Sequence, residues 1–274
     1  MFDRIDLKGL PKSDLFGYAA KQDFFVGRKK IQFKPGLNIL FGPNGSGKST
    51  VLNMLGKTMC AVQGGVSTVT HSALHDTVEL ISRHSDSKKT KNPDKIGLGV
   101  VHDGQPVIFC DPRQTVGLIA GSFDDDFFDK GLFETMNNRK VSHGQQALSR
   151  VNDAIAILME KAPFPEKVDF RFKRSSGNDM WSAAFDILAA RMEGSIPKAQ
   201  PTLLLDEPES NYSLLWQSRL WSLLSRPAVC EKFQIIVATH SVFSLGIEHA
   251  NYIDLKEGFR DELEVALRTK FGQK

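Results

Sequence analysis

The chain has 274 residues, 41% of them hydrophobic and 24% charged, with a formal net charge of +3. That length can bury a substantial core in one large domain or two small ones, and the composition is that of an ordinary soluble protein. No apolar run reaches the roughly 18–20 residues of a membrane span, and the N-terminal MFDRIDLKGLPKSD lacks a signal peptide's apolar stretch, so the expectation is a cytoplasmic protein with no membrane partner.

Cys60, Cys110 and Cys230 are far apart and form no CxxC pair, which argues against a disulfide framework and against a zinc site. They read as reduced thiols at buried or half-buried positions. The histidines show no HExxH spacing, so a metal held by protein ligands alone is not expected.

In chain order, FKPGLNILFGPNGSGKSTVLNMLGKTM is the first segment that reads clearly. Pro35-Gly36 predicts a turn and Leu37 to Phe41 an apolar strand. A glycine-rich loop follows, then a helix from Ser49 with apolar spacing through Val51, Leu52, Leu55 and Met59. Gly64-Gly65 should stop that helix. A polar stretch at about 66–95 reads as an insertion. KIGLGVVHDGQPVIFC predicts a hairpin of two short strands joined at Asp103-Gly104. Asp124-Asp125-Asp126 reads as loop, and Gly144 to Lys161 as an amphipathic helix. Residues 162–200 form a second interruption, with VDFRFKR as an exposed strand, SSGN as a turn and Met180 to Met192 as a helix.

Beyond it, Thr202 to Asp206 and Phe233 to Thr239 are predicted buried strands, Ser213 to Ser225 a helix and Asn251 to Leu255 a short last strand. Strands apolar throughout, alternating with helices, predict an α/β fold with a mainly parallel sheet covered on both faces.

The first motif is Gly42-Pro43-Asn44-Gly45-Ser46-Gly47-Lys48-Ser49, which fits G-x-x-x-x-G-K-[ST] between a strand and a helix, the context that makes it a phosphate-binding P-loop. Gly42, Asn44, Gly45, Ser46 and Gly47 would present inward-turned backbone N–H groups, and the helix N-terminus, with Thr50 in its first turn, would add its dipole. Lys48 would reach the β- and γ-phosphates of ATP, and the Ser49 hydroxyl would ligate Mg²⁺.

The second motif is LLLDEPES, Leu203 to Ser210. Two acids at the end of a buried strand need a cation or hydrogen bonds to offset their burial, and in a parallel sheet that end faces the ligand edge. Asp206 would hold Mg²⁺ and Glu207 would activate the attacking water. The next strand, IIVATHS, ends at Thr239-His240-Ser241, where His240 could bond the γ-phosphate or the water. VSHGQQ, Val141 to Gln146, reads either as a Ser-capped helix start or as an anion site built from a hydroxyl, a glycine amide and a helix N-terminus.

The ordered set GPNGSGKST, SHGQQ, LLLDEPE and ATHS resembles the ABC-type ATPases, more closely the soluble SMC, RecF and OLD-like branch than transporter subunits. The resemblance spans most of the chain in outline and is specific at those four motifs. It implies a P-loop ATPase head of residues 1–274, with an antiparallel β subdomain and a helical lobe carrying the signature. Ser142, Gly144 and Gln145 would then bind, in trans, the γ-phosphate held by a second copy, with His143 in place of the usual Gly or Ser.

In the family a glutamine contacts Mg²⁺ between the phosphate loop and the signature. Gln114 is the candidate and Gln105 its rival. Phe16, Tyr18 and Phe24 are candidates for stacking on adenine. The resemblance further implies ATP-sandwiched dimers or larger homo-oligomers that drive a protein effector, such as a nuclease, in DNA repair or anti-phage defence. Nucleic acid is a second candidate partner, through the basic runs at Arg28–Lys34, Lys88–Lys95 and Arg171–Arg174. Two alternatives stay open: the ATP subunit of a membrane transporter, and a nucleotide-gated binding module with negligible turnover.

Overall fold

The computed structural model of the chain describes residues 1–13, 16–58, 62–63, 98–103, 105, 107–110, 151–152, 154–162, 164, 200–210 and 212–272. Its strands are β1 (Phe2–Asp6), β2 (Lys30–Gln32), β3 (Leu37–Phe41), β4 (Val62–Gln63), β5 (Gly99–His102), β6 (Val107–Cys110), β7 (Thr202–Asp206), β8 (Gln234–Thr239) and β9 (Asn251–Asp254). The principal helices are α1 (Lys48–Thr58), α2 (Leu214–Leu224), α3 (Pro227–Lys232) and α4 (Phe259–Phe271).

Six strands make one sheet in the order β4-β6-β7-β8-β3-β9, parallel at every described pairing, and β2-β1-β5 make a small antiparallel sheet. This is the α/β P-loop architecture with a mainly parallel sheet and an antiparallel β subdomain. The central strands are buried along their whole length because both sheet faces are covered. Successive side chains divide between the two faces. Leu40, Leu204, Ile236 and Ala238 join α1 and the antiparallel sheet in one core. Leu37, Ile39, Leu203, Leu205, Ile235 and Val237 join α2, α3 and the helical residues Val151, Ala154, Ile157 and Leu158 in the other.

Two buried amides hold the chain where it enters the main sheet. Gln234, fully buried, accepts from Phe2 N at 2.7 Å through Oε1 and donates to Phe2 O at 2.7 Å and Lys34 O at 3.0 Å through Nε2, which ties β1 to the main sheet. Asn38 accepts from Lys34 N at 2.8 Å and donates back to Lys34 O at 2.8 Å, closing the Pro35-Gly36 turn that launches β3. Buried amides are tolerated here because their hydrogen-bonding groups find partners. α1 lies close over β6, since a Cβ on Gly56 would sit 3.1 Å from the Phe109 ring.

The predicted helix at Ser213–Ser225 is α2, capped by the Ser213 hydroxyl accepting from Trp216 N at 3.4 Å. The predicted hairpin at Asp103-Gly104 does not form. β5 pairs antiparallel with β1 in the small sheet, whereas β6 pairs parallel with β7 in the large one. The chain crosses between sheets at that point, and VIFC, buried at all four positions, belongs to the covered sheet. Cys110 is buried and Cys230 half-buried. The two insertions, Cys60, the Lys88–Lys95 and Arg171–Arg174 runs and the signature segment lie outside the described residues, apart from the insertion-end positions 162, 164 and 200. No described helix is long and apolar enough to cross a membrane.

Candidate functional site

The site lies at the C-terminal edge of the parallel sheet, where three adjacent strands end together. β8 sits between β7 and β3, so the phosphate loop after β3, the acids ending β7 and the histidine after β8 converge. Register fixes this directly: Phe41 stands opposite Thr239, and Asp206 opposite Ala238.

The loop from Gly42 to Gly47 turns through positive φ at Gly45 (78°) and Gly47 (100°). At Gly47 only glycine suffices: the backbone is left-handed, and a Cβ would lie 2.9 Å from Gln22 Oε1 and 3.1 Å from the Phe25 ring. Asn44 and Gly45 form the exposed crest of the loop, while Gly42, Gly47 and Lys48 are buried at its base, and Ser46, Ser49 and Thr50 are half-buried. Lys48 Nζ donates to Gly42 O at 2.9 Å and to Pro43 O at 3.0 Å, so its ammonium is folded beneath the loop, 3.9 Å from Glu207 Oε1.

Ser49, on the first turn of α1, donates from Oγ to Asp206 Oδ1 at 3.0 Å. Its carbonyl accepts from Asn53 Nδ2 at 2.8 Å. A hydroxyl and a carboxylate meeting at the foot of a phosphate loop are hard oxygen donors of the kind Mg²⁺ prefers. Among the described residues no group of three His, Cys, Asp or Glu could hold a metal. Ser49 and Asp206 could therefore bind such an ion only with further oxygens from a ligand or water.

Glu207 has φ of 46°, a left-handed conformation for a non-glycine residue. Its N–H donates to Ala238 O at 2.8 Å, extending the β7–β8 pairing one step beyond the strand. Its side chain turns toward the edge, where Oε1 lies 3.4 Å from His240 Nδ1. His240 is about half exposed and Glu207 mostly covered, so the pair borders solvent on the histidine side.

The structure thus brings together Gly42, Asn44, Gly45, Ser46, Gly47, Lys48, Ser49, Thr50, Asp206, Glu207 and His240. Ser142, His143, Gly144, Gln145 and Gln114 lie outside the described residues. Gln105 precedes β6, at the opposite sheet edge from the loop, and its N–H donates to Asp103 Oδ1 at 2.9 Å, so it is not a site residue. Phe16 and Phe24 are not free to stack on a base, because both are buried in the core. Phe24 packs edge-on against Phe25 and under the Arg28 guanidinium. Of those three aromatics only Tyr18 is exposed.

One buried acid beside the site went unread in the sequence. Glu209 is 4% exposed, and its Oε1 accepts a short hydrogen bond from the Thr239 hydroxyl. Burial pushes its pKa up to about 7, an effect that the Thr239 bond opposes and the Glu207 charge reinforces. The signal was present in DEPES, where a further acid follows the strand-end pair.

A strand–loop–helix phosphate cradle, a strand-end acid pair and a histidine just past the intervening strand define a P-loop ATPase of the ABC type. Residues 70–246, more than half of the chain, match the family described as "AAA domain, putative AbiEii toxin, Type IV TA system", and the chain belongs to this family. Residues 24–91, which include the phosphate loop, match a second family described as "AAA domain". The chain is also 25% identical over 232 residues, 83% of its own length and 76% of the relative's, to the phosphonates import ATP-binding protein PhnC of Pseudomonas fluorescens (strain Pf0-1).

Proposed function

We propose that this chain hydrolyses ATP with Mg²⁺, closing head-to-tail with a second copy around two nucleotides and reopening after hydrolysis, as a cytoplasmic switch for a partner. The observation that carries this reading is the convergence of Lys48, Ser49, Asp206, Glu207 and His240 on one sheet edge. Lys48 supplies a buried positive charge for the β- and γ-phosphates. Ser49 and Asp206 would hold Mg²⁺, which, when bound, offsets phosphate charge. Glu207 accepts the proton of the attacking water, and His240, 3.4 Å away, orients that water or bonds the γ-phosphate.

Ser142, Gly144 and Gln145 would complete the site from the second copy, with Gln114 at the metal. ATP then stabilises the closed pair because the closed state has contacts that the open one lacks. An output through an effector protein, such as a nuclease, in defence or repair is part of this proposal, and the family description itself names a putative toxin of a type IV system. The basic runs leave nucleic acid as a second partner. Phosphate release from ATP by the full chain tests the reading. Turnover equal to that of Lys48→Ala would favour a nucleotide-gated binding module over an ATPase.

A second reading has its own support. The relative PhnC is named as an import ATP-binding protein, so this chain could power a membrane transporter. Copurification from membranes with an integral partner would favour that reading, and recovery with a soluble effector the first.

A further inference from the structure

Glu209 has no role in the chemistry above, yet it is among the most deeply buried charged groups of the described residues, alongside Lys48 and Asp206. A carboxyl in such a place is destabilising unless its contacts offset the lost hydration. Among the described residues its Oε2 has no hydrogen-bond partner, and at Oε1 the Thr239 hydroxyl is the side-chain donor that offsets its burial, with its own backbone N–H helping.

That bond joins two strand ends that both carry site residues. Glu207, two positions earlier, turns the chain through a left-handed backbone, a conformation that persists only where its surroundings over-determine it. Ser210 N donates to Glu207 O at 3.0 Å, closing the turn that carries Glu209 back under the strand. On the other side, Thr239 Oγ1 accepts from Ser241 N at 2.8 Å while its hydroxyl proton goes to Glu209. A chain of hydrogen bonds therefore runs from the Ser241 amide through Thr239 to Glu209 and brackets His240.

We propose that Glu209 is a positioning residue: by holding Thr239 across the β7–β8 seam, it fixes the strained turn at Glu207 and the start of the His240 loop, and so aligns the pair that handles the attacking water. This rests on the hydrolysis reading. The requirement is an acceptor oxygen toward Thr239, and either protonation state of the carboxyl provides one, as does the carbonyl of a glutamine.

The test uses the full chain with four substitutions, Glu209→Ala, Glu209→Gln, Thr239→Val and Thr239→Ser, followed by steady-state ATP hydrolysis and amide hydrogen exchange. Glu209→Ala and Thr239→Val should lower kcat at least tenfold while changing the KM for ATP less than twofold. Glu209→Gln and Thr239→Ser, which keep the bond, should stay within threefold of wild type in kcat. Exchange at the Ser241 amide should quicken in the first pair only. Turnover of Glu209→Ala within twofold of wild type, or Glu209→Gln as impaired as Glu209→Ala, would overturn the proposal. Should the wild type turn over no faster than Lys48→Ala, the hydrolysis reading fails by itself. The clasp is then judged by exchange, and an unaltered Ser241 amide in Glu209→Ala would overturn it.

Discussion

Ser49 Oγ lies 3.0 Å from Asp206 Oδ1, tying the first turn of α1 to the end of β7. The two residues stand 157 positions apart, yet one strand order makes them neighbours, and they form the oxygen pair best suited to Mg²⁺ in the site. Asp206→Asn keeps the shape and removes the charge. It should weaken ATP affinity at least tenfold with Mg²⁺ present and have little effect in EDTA, as read by titration calorimetry.

Lys48 is 4% exposed, held between loop carbonyls and Glu207. Lys48→Ala removes the positive charge that would meet the β- and γ-phosphates. Phosphate release should fall at least a hundredfold, with an unchanged circular dichroism spectrum showing that the fold survives.

The raised pKa of Glu209 makes stability depend on pH with a definite sign. Between about 4.5, its ordinary value, and about 7, the folded chain holds a proton that the unfolded chain has released. Stability from this group is therefore greatest at low pH and is lost as pH rises through that window. Above pH 7 the buried charge should destabilise the fold by on the order of 3 kcal/mol. Glu209→Gln carries no such charge, so its stability relative to wild type should be higher at pH 8 than at pH 5 in urea unfolding. Equal differences at the two pH values would contradict the burial argument.

The parallel core was legible because full burial leaves a plain trace: Leu37–Phe41, Thr202–Asp206 and the strand before His240 are apolar runs that end at the polar residues of the candidate site. The phosphate loop was legible for a related reason, since its glycines and lysine recur at fixed spacing. The β5–β6 segment misled because Asp103-Gly104 has turn chemistry whether the next strand folds back or crosses to another sheet. The unbroken apolar VIFC was the clue, as a hairpin strand with one solvated face would alternate. Phe16 and Phe24 misled because aromatic side chains near a ligand loop look the same in sequence whether they stack on a base or fill the core. Glu209 was hidden by its neighbours, for a further acid after Asp206-Glu207 reads as surface until Thr239 is seen beside it.

If the signature segment acts in trans, bulk and charge there should affect closure and not nucleotide binding to one chain. Ser142→Arg should leave the ATP affinity of the isolated chain within about twofold and lower hydrolysis at least tenfold, measured by calorimetry and phosphate release. Unaltered hydrolysis would reduce VSHGQQ to a helix cap.

The composite site is tested most directly by the mass of Glu207→Gln in solution with and without ATP and Mg²⁺, determined by light scattering after size exclusion. With hydrolysis blocked, the account predicts a nucleotide-dependent species of at least twice the 30.5 kDa chain mass, and its loss when Ser142→Arg is added. A particle that stays at 30.5 kDa in saturating ATP would contradict it.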